Sequence, residues 1–163
     1  MKKQVFFIML TLAFTITGAS CKGFKKSQSD ADTVAVNPVG PKFNADSALA
    51  FTDAQCQFGP RVMNSEAHDK CMEWIVSKFK QYGCKVTTQK ADLKGWDGKT
   101  LHATNIMASY NPGATTRILL CAHWDSRPWA DNDPDSTKHK EPVMAANDAA
   151  SGVAVMLEVA RQL

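Results

Sequence analysis

No block of like charge, no internal repeat and no zinc-ribbon cysteine pattern occurs in this chain. The lysines are scattered and often sit near acids, so the net charge of +3 builds no basic face for nucleic acid. The acids do not cluster either. Cys56, Cys71, Cys84 and Cys121 lack Cys-x-x-Cys spacing, which leaves no thiolate zinc site and no readable disulfide pairing. The apolar run at residues 5–16 is too short to cross a bilayer comfortably. What remains is ordinary for a globular protein, with 44% hydrophobic and 21% charged residues. The length of 163 residues suits one domain.

The N-terminus reads as a targeting segment. Lys2 and Lys3 precede the apolar run, and Gly18, Ala19 and Ser20 lead into Cys21. This layout resembles a bacterial lipoprotein signal, in which the cysteine becomes the lipidated first residue. A secretory signal cut nearby, with Cys21 incidental, is the alternative. Residues 1–21 are expected to be the signal and residues 22–42 a polar, aperiodic tether. Residues 43–163 are expected to fold. Export to the periplasm or outer membrane follows, with membrane attachment through the lipid on Cys21.

Within the folded part, residues 65–82 predict a helix. Ser65 is a cap, and Cys71, Met72, Ile75, Phe79 and Tyr82 recur at helical spacing before Gly83. Residues 85–93 alternate as an exposed strand, residues 95–98 turn, and residues 104–110 predict a second strand. The run Ile118-Leu119-Leu120-Cys121-Ala122 lacks alternation and predicts a strand buried on both faces, with Cys121 a buried thiol. A long polar loop at 124–147 leads to a final helix at 149–163. This order predicts an α/β three-layer sandwich with a mixed β-sheet.

Chemistry in such folds collects at the carboxyl ends of strands. His123 and Asp125 stand at the polar end of the apolar run, and Asp148 opens the last helix about two dozen residues later. His and Asp are ligand types for zinc. A lone Asp at a helix start is commonly only a cap. The companion His-x-Asp and the nearby Gly152, which permits close packing, argue for a site. Asp125 is placed to orient the His123 ring. Trp124 and Trp129 sit in a polar loop beside these residues, where a substrate-pocket wall is expected rather than core. Trp96 reads as surface packing in a turn, and Trp74 as a helix residue.

The motif His123-Trp124-Asp125-Ser126, then Asn147-Asp148-Ala149-Ala150-Ser151-Gly152, resembles the zinc-dependent aminopeptidases. A closer resemblance is to bacterial glutaminyl-peptide cyclotransferases (glutaminyl cyclases) of the same superfamily. It rests on Phe58-Gly59-Pro60-Arg61, on Asn105-Ile106 with Ser109-Tyr110-Asn111-Pro112, and on residues 121–131 with their Arg127-Pro128-Trp129-Ala130-Asp131 extension. Met63-Asn64 departs from the usual Pro-Gly. The resemblance implies a zinc aminopeptidase-like fold truncated at its C-terminus, with Asp148 as a zinc ligand. His123 would be a ligand only where a second metal binds, and Asp125 would stand behind the metal shell. It implies that the general-base Glu pair and the last His ligand lie beyond this chain, and hence that the 163-residue piece is inactive.

The expected activity of the longer protein is zinc-dependent formation of pyroglutamate from N-terminal glutamine, on peptides or proteins, by a monomer. A zinc aminopeptidase of the same fold is the first alternative. A non-catalytic surface lipoprotein that acts as a binding module is the second.

Overall fold

The structure is a computed structural model, and it describes residues Val39–Leu163. The signal at 1–21, Cys21 and most of the tether lie outside the described residues. Residues 39–43 are exposed coil.

Helix α1 (Ala45–Cys56) is an element the sequence reading did not anticipate. Asn44 caps it, accepting from the Ser47 amide at 2.9 Å. Its periodicity is hidden because a polar residue, Gln55, is fully buried while Leu49 is 62% exposed. Helix α2 (Glu66–Gln81) starts at the expected cap, where Ser65 Oγ accepts from the His68 amide at 3.1 Å. It buries His68, Cys71, Ile75 and Phe79. Gly83, at φ 76°, ends it, and the Cys84 amide turns back to the Phe79 carbonyl at 3.0 Å. That left-handed turn is cheap only for glycine.

Strands β1 (Lys85–Lys94) and β2 (Thr100–Ser109) form an antiparallel pair, from Lys85 opposite Ser109 to Lys94 opposite Thr100. Asn64 fastens this hairpin to the loop before α2. Its Nδ2 donates to the Thr100 carbonyl, and its Oδ1 accepts from the His102 amide, each at 2.8 Å. Helix α3 (Ser151–Gln162) closes the described fold and buries Val153, Ala154, Leu157, Glu158 and Ala160. The core joins Cys71, Ile75 and Phe79 of α2 to Cys84, Trp124, Val153, Leu157 and Ala160. Phe51 lies across it, edge-on to Trp74 at 6.4 Å.

Residues 117–122 depart from expectation. They pair with no strand among the described residues, and Ile118 and Leu119 are 88% and 85% exposed. Cys121 is likewise exposed. A doubly buried strand needs neighbours on both edges and layers on both faces. Here the packing on the segment comes from α3, where a Cβ on Gly152 would stand 3.0 Å from Ala122 Cβ. The described sheet is the two-stranded hairpin.

Two buried polar groups set α1 against α3. Gln55 Nε2 donates to the Ala150 carbonyl at 2.9 Å, and the Asn44 amide donates to Glu158 Oε1 at 3.0 Å. The two helices therefore run antiparallel. Glu158 also accepts from Arg161 at 2.7 and 2.9 Å and from Gln162 at 2.8 Å. The Arg161 hydrogen bonds hold its carboxyl down to about 2, against an ordinary 4.5, with Gln162 and the Asn44 amide assisting against the cost of burial. A depressed carboxyl stabilises the fold above its unfolded value and loses that contribution as pH falls towards its folded value. Urea midpoints should therefore fall between pH values of about 4.5 and 2. The Glu158→Gln variant is expected to be less stable at neutral pH and to show a shallower acid dependence. Parallel acid slopes for the two proteins would count against this assignment.

Candidate metal centre

His123 stands at the end of the extended segment 117–122 and meets the turn that precedes α3. Its Nε2 lies 2.7 Å from Asp148 Oδ1, and its Nδ1 lies 3.1 Å from the Asp125 backbone carbonyl. The Asp125 carboxylate is at 3.4 Å from the same Nδ1. Asp125 thus holds the ring chiefly through its main chain. Both ring nitrogens face acceptors, an arrangement that favours the doubly protonated imidazole. The His123 pKa is accordingly raised, first by the Asp148 hydrogen bond, with burial opposing and Asp125 contributing.

Asp148 lies in a wide turn, Ala146–Ala150, with non-helical backbone at φ −117° and ψ 86°. Ala145 enters this turn in the left-handed region at φ 56°. No side chain caps the turn or α3. Asp148 is therefore not a helix cap. Its carboxylate is 85% exposed and turned towards His123. The Ser151 hydroxyl braces the turn by donating to the Asn147 carbonyl at 2.6 Å.

One buried cation joins these pieces. Arg61 is fully buried. Its Nε donates to the Trp124 carbonyl at 3.1 Å. Its Nη1 donates to the carbonyls of Gln55 and Gly59 at 3.3 Å each, and its Nη2 to those of Met144 and Ala145 at 3.0 and 2.9 Å. The Arg61 carbonyl in turn accepts from the Ser126 amide at 3.0 Å. One guanidinium therefore ties α1, the His-x-Asp segment and the approach to Asp148. No carboxylate pairs with it among the described residues, so carbonyl dipoles alone solvate the charge. Neither periodicity nor spacing flags such a residue, because its partners are backbone atoms remote in sequence.

Trp124 is only 9% exposed, more buried than a polar loop suggests. The Arg61 anchor draws its backbone inward. Its indole stacks on buried His68 with centroids 3.9 Å apart, and its Nε1 donates to the Thr104 carbonyl at 3.1 Å. Trp124 still borders a cleft of about 280 Å³ with Met63, His68, Ala122, His123 and Asp125. Trp129 stands apart from that cleft, 39% exposed, and meets Trp96 edge-on at 5.9 Å. The loop that carries it is held by the Val143 amide on the Arg127 carbonyl at 3.1 Å and the Ala130 amide on the Glu141 carbonyl at 2.8 Å. An Arg127–Asp131 ion pair at 3.0 Å adds to this.

A carboxylate oxygen and an imidazole nitrogen suit zinc. The exposed Asp148 carboxylate has an oxygen not engaged by His123, so it fits as one ligand of such an ion. No group of three His, Cys, Asp or Glu side chains is arranged for a metal among the described residues.

Residues 105–163 match the model of Peptidase family M28. The chain is similar to a solved leucine aminopeptidase precursor and to a glutaminyl cyclase bound to N-acetylhistamine, both from Bacteroides thetaiotaomicron. Each is 50% identical with a TM-score of 0.74, over 76% of this chain and 42% of theirs. It is also similar to the glutaminyl cyclase of Porphyromonas gingivalis, at 45% identity and a TM-score of 0.72, over 74% of this chain and 42% of that one. The described helices and hairpin thus have the zinc exopeptidase and glutaminyl cyclase fold, an α/β architecture. The chain spans about 42% of the length of these solved structures.

Proposed function

We infer that the protein built on this M28-type segment is a zinc-dependent glutaminyl-peptide cyclotransferase. Its substrates would be peptides or proteins with N-terminal glutamine. The carrying observation is the similarity to glutaminyl cyclases of two organisms at 45–50% identity. Beside it stands the 2.7 Å contact between His123 Nε2 and Asp148 Oδ1. In the one-zinc reading that imidazole would orient Asp148 as a ligand, and in the two-zinc reading the same nitrogen would bind the second ion.

In the reaction, the α-amine of the substrate attacks its own side-chain amide carbon. The bond to the amide nitrogen breaks, ammonia leaves, and the amine proton is passed to the departing nitrogen. A bound zinc ion supplies Lewis-acid polarisation of the amide carbonyl. Asp148 would hold that ion. His123 keeps the Asp148 carboxylate in one orientation, and the Asp125 carbonyl fixes the imidazole in turn. His68 and Trp124 give the cleft a stiff, partly apolar wall that limits water around the reacting amide.

A zinc aminopeptidase is the second reading, favoured by the M28 match and the similarity to a leucine aminopeptidase precursor. Zinc stoichiometry of the whole protein, with parallel assays on a Gln-peptide and a Leu-anilide, separates the two. One zinc and preferential pyroglutamate formation are expected. Two zincs with faster anilide release would give the protein to the peptidases.

Export and lipid attachment at Cys21 belong to the same proposal, placing the enzyme in the periplasm or at the outer membrane. A fatty-acid probe should label the wild-type protein in cells and not the Cys21→Ser variant. Label retained by that variant would refute the anchor.

A further inference from the structure

A second cavity of about 500 Å³ lies beside the candidate cleft, and Met63 and Asp125 line both. Its far side is built from Trp96 in the hairpin turn and Trp129 in the loop after His-x-Asp. The volume is within the range of small-ligand sites. Three features distinguish it from a chance surface hollow. The hairpin that carries Trp96 is pinned by Asn64, and its turn is closed by the Gly95 amide on the Lys99 carbonyl at 2.8 Å. Asp97 and Lys99 at its rim pair with each other at 3.1 Å, and the Asp125 carboxylate in the shared wall lies 3.4 Å from His123 Nδ1. Ser126 in its wall is 3% exposed, and its hydroxyl finds no partner.

Trp96 meets Trp129 edge-on, so the two indoles present a continuous apolar wall to this cavity. We propose that this cavity is a substrate subsite that receives a neutral aromatic side chain from the residue following the N-terminal glutamine. The inference rests on the cyclase reading for the identity of the first residue. The shared wall at Asp125 and Met63 sets the direction of the chain, since one residue advances an extended peptide by roughly 3.5 Å. Trp96 and Trp129, already in edge-on contact, form one apolar wall against which the aromatic side chain packs.

The test uses the whole protein and the dipeptides Gln-Phe-amide and Gln-Gly-amide. In the zinc-loaded enzyme, Trp96→Ala should lower kcat/KM for Gln-Phe-amide by roughly 5–10-fold. It should leave Gln-Gly-amide within about twofold of wild type. Trp96 is outside the core, so its removal should not unfold the protein. Independently, NMR of the zinc-depleted protein should show the Trp96 and Trp129 indole N–H resonances shifting with Gln-Phe-amide and not with Gln-Gly-amide. Equal losses on both peptides, or indole signals that do not move, overturn the subsite. Loss of the cyclase reading has a different signature: zinc-loaded wild type that forms no pyroglutamate while the indole shifts persist overturns the reaction and leaves the subsite standing.

Discussion

Replacing Arg61 with methionine should cost about 4 kcal/mol or more of folding free energy, enough to unfold a marginal domain. Methionine fills similar space but donates nothing. The carbonyls of Gly59, Trp124 and Met144 would lose the donors that now reach them at 3.0–3.3 Å, while those of Gln55 and Ala145 would keep the amides of Phe58 and Ala150. A buried acceptor left unpaired costs about 1–3 kcal/mol, and relaxation or entering water recovers part of the sum. Lysine should be intermediate, at about 2 kcal/mol, because its ammonium has fewer donors and lacks the planar fork. Urea denaturation of the whole protein gives the ranking wild type, lysine, methionine. Near-UV circular dichroism should change in the methionine variant before global unfolding, since Trp124 is held by the same guanidinium. A methionine variant within about 1 kcal/mol of wild type would remove Arg61 from its central place.

The second large effect is functional. Asp148→Ala should abolish stoichiometric zinc binding by the whole protein and lower pyroglutamate formation by about a thousandfold or more. The same substitution should leave the unfolding midpoint of the metal-free protein nearly unchanged, within about 0.5 kcal/mol. The contrast follows from geometry: among the described residues, Asp148 is 85% exposed, caps no helix and touches His123 alone of the charged groups. His123→Ala should keep the metal and lose roughly 10–100-fold in turnover, as when the partner that orients a ligand is removed. Metal analysis, thermal melts of the apoprotein and kinetics on a Gln-peptide test the pair together. Full zinc content in Asp148→Ala would exclude it as a ligand. Zinc lost from His123→Ala would make the imidazole a direct ligand and strengthen the aminopeptidase reading.

Local chemistry was enough where an element is specified by its own residues. Helix α2 is marked by the Ser65 cap, by the stripe of Cys71, Ile75 and Phe79, and by Gly83, and the fold places it there within a residue at each end. The hairpin is marked by alternation and by Gly95 and Gly98 around its turn. Helix α1 escaped because its buried face carries Gln55, whose amide is worth burying only once the Ala150 carbonyl is there to accept from it. Residues 117–122 show the reverse case. Their composition announces burial, but composition cannot supply the strands that would provide it.

The same division runs through the candidate site. The order His123, Asp125, Asp148, with Gly152 behind them, was readable from residue types and spacing alone, because each stands at the end of a local element. Which atoms meet was not: that Asp125 holds the ring through its carbonyl, and that Asp148 faces His123 instead of capping α3, depend on the backbone of the Ala146–Ala150 turn. Only the tertiary structure decided that Arg61 binds the parts together and that Trp96 and Trp129 face one cavity. A sequence encodes periodicity and capping over a few neighbouring residues. Hydrogen bonds spanning 63 to 84 residues, such as those from Arg61 to Trp124, Met144 and Ala145, exist only after the core has brought remote backbone together.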